Sequence, residues 1–290
     1  MQHLNKPNLP PTSLWLLLAC ALTFSACEMN DVILPPKPPD KETVVEEFSF
    51  EIEARKQSRL RLEGINGEID VTGVPGASKV EIWGERRVKA ESIEDANAWM
   101  KKLEVRVSES NDEIFVKTIQ PKETQGRTLE VVYHVRMPQA WEALVSNLNG
   151  SVFIDSLAGK ATIVLLNGNV ELREISKTIS IGLTNGGVTL AHITGNTFVT
   201  LVNGNIDASL TLPQQGTCEL GRVNGTVDLQ IPQNTSAKFS AEVVNGAIST
   251  NGLAIHDAIT TPKSVSGRLA NGDGKIAIKT VNGNIRVEGI

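Results

Sequence analysis

The sequence predicts an all-β chain whose C-terminal half is a parallel β-solenoid, preceded by a strand-rich part carrying one short helix. Three observations carry that prediction. The first is an Asn-Gly dipeptide that recurs in register at Asn149, Asn167, Asn185, Asn203, Asn224 and Asn245, in steps of 18, 18, 18, 21 and 21 residues. A further copy begins 37 residues on at Asn282, and an isolated one sits at Asn66. A period near 20 residues marks units that cannot bury an apolar face alone but can do so in a stack. The second is a pair of apolar columns in phase with the dipeptide. Three positions after each Asn stand Val152, Val170, Val188, Ile206, Val227, Ile248 and Ile285, and four before it Val145, Ile163, Ile181, Val199, Leu220, Ala241 and Ile278, as inward strand positions should be. The third is composition: 290 residues with 40% hydrophobic content can bury a core without cross-links.

Taken along the chain, residues 1–26 read as a secretory signal peptide. Lys6 is followed by an apolar run from Leu14 to Leu22 and by Ser25-Ala26 before Cys27, a run too short to span a membrane. The small residues before a cysteine resemble the lipobox of bacterial lipoproteins, with Phe24 where that motif usually has Leu. On that resemblance Cys27 becomes the lipidated first residue of the mature protein. Residues 27–47 read as a tether, because the PPKPP segment from Pro35 to Pro39 cannot join helix or sheet ladders. Cys20 leaves with the signal and Cys27 is acylated, so Cys218 has no disulfide partner.

Residues 48–146 read as an N-terminal strand-rich unit. FSFEIEARKQSRLRLEGINGEIDVTGV and SKVEIWGERRVKA alternate like strands, as do EVRVSES, DEIFVKTI and TLEVVYHVRMP. Between them a helix over about 92–103 places Ile93, Ala96, Trp99, Met100 and Leu103 on one face, with Ser92 and Asp95 as its capping box. Residues 147–290 read as the solenoid, each unit running strand, Asn-Gly corner, strand, second turn. Asn and Gly tolerate the positive φ that a tight corner needs. The alternative is an antiparallel meander or sandwich, with each Asn-Gly a type I′ hairpin turn. The parallel stack is preferred, because a hairpin fixes only its own two strands whereas a stack explains columns shared by seven units.

Four features together resemble the putative-adhesin β-strand-repeat family of bacterial envelope proteins. They are EGINGEIDV (Glu63 to Val71), the single helix, YHVRMPQ leading into LNGSVFI, and the closing KTVNGNIRVEGI (Lys279 to Ile290). The resemblance extends over about residues 45–290 and implies an all-β repeat scaffold outside the cytoplasm, in a family largely without assigned function.

No catalytic constellation is legible. Among His3, His134, His192 and His256 no pair has metal-ligand spacing, and no H-E-x-x-H, C-x-x-C, Walker or G-x-S-x-G pattern occurs. No catalytic residue, cofactor or metal site is therefore assigned. His192 reads as an ordinary strand residue, and Cys218 falls in an inward column, where a thiol behaves as a small hydrophobe. The outward column four after each Asn holds Phe153, Glu171, Thr189, Asp207, Asp228, Ser249 and Arg286. Parallel stacking makes Asp207 and Asp228 neighbours at about 4.8 Å. Such a pair could hold Ca²⁺ or act on glycosides, but a solvated polar face is the preferred reading. A glycan-cleaving site would also need aromatic platforms, and Trp15, Trp83, Trp99 and Trp141 all lie outside the regular repeats.

With 28 Lys+Arg against 33 Asp+Glu, a net charge of −5 and no basic block, nucleic acid is not the expected partner. The expectation is a non-enzymatic, lipid-anchored envelope protein presenting its solenoid for binding or adhesion to an envelope polysaccharide or protein. The alternatives are a carbohydrate-active β-helix enzyme, or a structural or sensory component that binds another envelope protein. Glu28, where an Asp would resemble an inner-membrane retention signal, favours the outer membrane.

Overall fold

A computed structural model describes residues 41–290; the expected signal peptide, Cys27 and most of the expected tether lie outside the described residues. The first part of the described chain forms β1 (Glu42–Glu53), β2 (Arg59–Glu63), β3 (Ile69–Val74) and β4 (Lys79–Ala90). The helix α1 (Ile93–Met100) follows, then β5 (Glu104–Glu109), β6 (Glu113–Ile119) and β7 (Thr128–Pro138). The regular coils begin with β8 (Glu142–Asn149), β9 (Val152–Asp155), β10 (Ala161–Asn167), β11 (Val170–Arg173), β12 (Ile179–Asn185) and β13 (Val188–Ile193). They continue with β14 (Thr197–Asn203), β15 (Ile206–Leu210), β16 (Thr217–Asn224), β17 (Val227–Ile231), β18 (Ala237–Asn245) and β19 (Ile248–Asn251). The chain closes with β20 (Ile255–Thr261), β21 (Ser264–Leu269), β22 (Gly274–Asn282) and β23 (Ile285–Gly289).

Each in-register Asn-Gly is a corner at which the chain leaves one sheet and enters the other. The strand before it joins a 12-stranded sheet and the strand after it an 11-stranded sheet, and the two apolar faces meet in the core. Pairing between coils is parallel: Ile163 lies beside Ile181 and Val170 beside Val188, one 18-residue repeat apart. The antiparallel meander is thereby excluded for the repeats. Both inward columns are buried as the alternation requires, except that Ile248 on the outer coil is half-buried, and Cys218 is buried among them.

The corner explains its own sequence. Seven side-chain amide bonds of 2.8 or 2.9 Å link Asn66, Asn149, Asn167, Asn185, Asn203, Asn224, Asn282 and Asn245 into one ladder. The following residue must have positive φ and no side chain. Gly186 has φ +138°, and a Cβ there would lie 1.7 Å from the Gly168 carbonyl oxygen. The second corner also turns through positive φ, at Ser156, Glu174 and His192. His192 therefore sits at a corner, beside a register shift between β13 and β15, and not in regular strand alternation. The 21-residue coils lengthen this second corner with turns containing Pro213 and Pro232.

The order of the ladder corrects two expectations. Asn66 is not isolated, because its amide oxygen accepts from Asn149 at 2.8 Å and its own amide donates to the Leu129 carbonyl oxygen at 2.9 Å. β2 and β3 thus form the first coil, stacked in parallel on β8 and β9. The boundary expected between residues 146 and 147 lies within β8 (Glu142–Asn149). The coil bearing Asn282 does not follow that of Asn245 in space. Residues 255–269 form the antiparallel hairpin β20–β21 on the far side of β18, and β22–β23 then return to lie between the Asn224 and Asn245 coils. The second 21-residue offset is therefore not a contact.

At the other end β1 and β4 add antiparallel strands, and β1 starts at Glu42, inside the segment expected as tether. The helix is shorter than expected. Ala96, Trp99 and Met100 are buried against the core, as is Leu103 beyond its end, while Ile93 is 48% exposed. Ser92 Oγ caps the helix by accepting from the Asp95 amide at 3.1 Å. The Asp95 carboxylate does not complete the box; it accepts from Arg127 at 2.8 and 2.9 Å, which holds its carboxyl below the usual range.

Candidate functional site

The expected acidic column forms, but its chemistry changes. Asp207 and Asp228 are neighbours in register, and the inserted last coil brings Arg286 against Asp228 on its other side. Arg286 Nη1 donates to Asp228 Oδ1 at 3.3 Å. Asp228 thus gains a cation from a residue 58 positions away, and Ser249, next after Asp228 in chain order, lies one coil further out. Cys218 is buried, and burial pushes its thiol up to about 12, with Glu219 adding to the shift; a thiol held neutral is a poor nucleophile. His134 stacks on Trp83 with ring centres 5.6 Å apart, and His256 lies in the hairpin strand β20.

A different surface emerges on the 12-stranded sheet. Its strands β8, β10, β12 and β14 present Leu144 and Ser146, Thr162 and Val164, Ser180 and Gly182, and Phe198 and Thr200 outward, none of them charged, with Glu142 at the start of β8 as the border of this stretch. The next outward position, immediately before each corner Asn, is apolar on nearly every coil. Leu148, Leu166, Val202, Val223, Val281 and Val244 are each 38–60% exposed, with Thr184 in the same row. From Leu148 to Val244 this row crosses six strand gaps, about 29 Å at the usual spacing. Val164 beside it is 57% exposed.

Charges border this face on both sides and are engaged with one another. On the N-terminal flank Glu63 pairs with Arg61 and, at 3.0 Å, with Lys117, while Arg59 meets Glu142 at 3.2 Å. The two cations hold the Glu63 carboxyl below its usual value, Lys117 foremost, against the opposing effect of burial. On the C-terminal flank Lys275 meets Glu219 at 2.6 Å and Lys279 meets Glu242 at 3.1 Å. The 11-stranded sheet differs, because its outward positions on the same coils include Asp155, Glu171, Arg173 and Asp207. Contiguous exposed apolar rows rimmed by polar residues mark interaction sites. The row was readable in the sequence, since the residue before each ladder Asn is Ile, Leu, Thr or Val where alternation calls for a polar one.

Fold and surface together define a class: a two-sheet parallel repeat scaffold with one uncharged outer face. The chain belongs to the Toastrack DUF4097 family, which matches residues 139–288. Among solved structures it is similar to a "putative cell adhesion protein" from Clostridium sporogenes, at 14% identity and TM-score 0.40 over 85% of this chain and 100% of that one. It is also similar to a "putative adhesin" from Bacteroides fragilis, at 12% identity and TM-score 0.30 over 86% and 98%. A "putative lipid binding protein" from Parabacteroides distasonis matches at 9% identity and TM-score 0.35, over 84% and 96%. No curated protein matches the chain.

Proposed function

We propose that this protein is a non-enzymatic envelope lipoprotein, anchored through Cys27, whose solenoid binds another envelope protein through the uncharged face of the 12-stranded sheet. The observation that supports this reading is the exposed aliphatic row before the Asn ladder, continuous with Val164 and Phe198 and bordered by ion pairs. A flat row of branched apolar side chains on a rigid sheet loses little conformational entropy on docking and releases ordered water. The acidic column of the other sheet supports a structural reading of those residues, because Asp228 is engaged by Arg286.

The experiment is fractionation and pull-down from whole envelopes, with protein and polysaccharide scored separately. Cys27→Ala should move the protein from membranes to the soluble fraction, since stable attachment needs the acyl chains. The Leu166→Glu, Val202→Glu double variant should stay membrane-bound and folded, as both side chains point to solvent, yet lose its captured protein. Retention of the same protein by that variant would refute the binding face. Capture of polysaccharide alone would replace the proposed partner.

A further inference from the structure

We infer a second binding site, for a neutral saccharide, on the outer face of the 11-stranded sheet around Trp83. This inference is independent of the apolar face on the other sheet. Trp83 is 36% exposed, whereas Trp99 and Trp141 are 6% and 7% exposed. It is the surface tryptophan among the described residues, and its position is enforced. Cross-strand pairing sets Ser49 on one side of it and His134 on the other. The His134 ring stacks at 5.6 Å with planes 26° apart, and the Arg136 guanidinium lies 5.5 Å from the indole centre. An indole braced by two neighbours on a sheet has little rotamer entropy left to lose when a ligand lands on it.

Beside the indole runs an open groove of about 530 Å³, within the size range of small-ligand sites. Its rim carries hydrogen-bonding groups already held in place. Arg87 donates to Glu85 at 2.8 and 2.9 Å and sits 3.8 Å from Glu130, while Glu47 and Ser49, paired with Glu85 and Trp83 across β1 and β4, also line the groove. A flat aromatic surface next to fixed carboxylate, guanidinium and hydroxyl groups matches a pyranose ring. The ring's C–H face packs on the π-system, and its vicinal hydroxyls donate to carboxylate oxygens and accept from guanidinium N–H groups. Charge selects among sugars. Glu47 and Glu85 outnumber Arg87 in the lining, so a uronic acid would meet like charge, and a neutral ring would not.

The test is titration of the full mature protein with cellohexaose, mannohexaose and chitohexaose, with hexagalacturonate as the acidic comparison, followed by calorimetry and tryptophan emission. At least one neutral hexamer should bind saturably and shift the emission, and hexagalacturonate should bind at least tenfold more weakly. Trp83→Ala should weaken binding tenfold or more, and Trp83→Phe should retain most of it, which separates loss of the platform from loss of fold. The Leu166→Glu, Val202→Glu variant should bind as the wild type does. Absence of binding by all three neutral hexamers, equal binding by Trp83→Ala, or preference for hexagalacturonate would each overturn the inference.

Discussion

Arg222 occupies an inward position that on the three preceding coils is Leu165, Leu183 and Leu201. It is 5% exposed. Its Nη1 donates to the Gly204 carbonyl oxygen at 2.7 Å and its Nη2 to Thr280 Oγ1 at 3.1 Å, while Nε is buried without a partner. Burial holds this guanidinium below its usual pKa, with Asp228 opposing that shift. Two effects compete at this residue. Desolvating a cation costs several kcal/mol, and its hydrogen bonds recover part of that. Because leucine already fits the same column, Arg222→Leu should leave stability unchanged or raise it by about 1–3 kcal/mol, read as an unchanged or higher melting temperature. A drop of several degrees would mean that the hydrogen bonds to Gly204 and Thr280 outweigh the desolvation. Such a residue is legible in sequence only as a charge in an apolar column, which by itself says nothing of where its donors go.

The strand pair β22–β23 shows how charge chooses between stacking orders that the apolar columns leave equivalent. Every coil offers the same inward valines and isoleucines, so hydrophobic burial does not distinguish chain order from the observed order. The outward residues do. Lys275 and Arg286 face Glu219 and Asp228 on one neighbour, and Lys279 faces Glu242 on the other. Each exposed pair contributes little alone, typically below about 1 kcal/mol; three of them, with the Arg222–Thr280 bond, favour one arrangement consistently. The 18-residue steps were readable because identical spacing leaves one way to stack, and the 37-residue step was not, because the β20–β21 hairpin hides inside it. Oxidation of an Asp228→Cys, Arg286→Cys variant should form a disulfide, since parallel neighbours lie within bonding range. An Asp228→Cys, Ser249→Cys variant should not. The opposite pattern, read by mass spectrometry, would restore stacking in chain order.

At the scale of the molecule, the two sheets share one core but present unlike exteriors. Most of the architecture was legible: parallel pairing, inward columns and the corner ladder all follow from residue type at fixed spacing. The first coil at Asn66 was obscured because β4, α1, β5, β6 and β7 intervene before the next rung. The candidate face was obscured for a different reason. The acidic column stands out in sequence by its titratable groups, whereas the informative feature is a run of uncharged outward residues on the corner-side half of four strands, visible only once the strands lie side by side. Trp83 and His134 are likewise 51 residues apart in sequence and meet only through the β4–β7 pairing.

If the apolar row of the 12-stranded sheet is the surface engaged in the envelope, as proposed, it is covered there and open in the free protein. Hydroxyl-radical footprinting of the mature protein, free and on its own isolated envelopes, reads that occupancy side chain by side chain. Labelling of Leu148, Val164, Leu166 and Phe198 should fall at least threefold on envelopes, while Phe153 on the opposite sheet stays unchanged. Unchanged labelling of those four residues, with protection at Phe153 instead, would place the engaged surface on the other sheet.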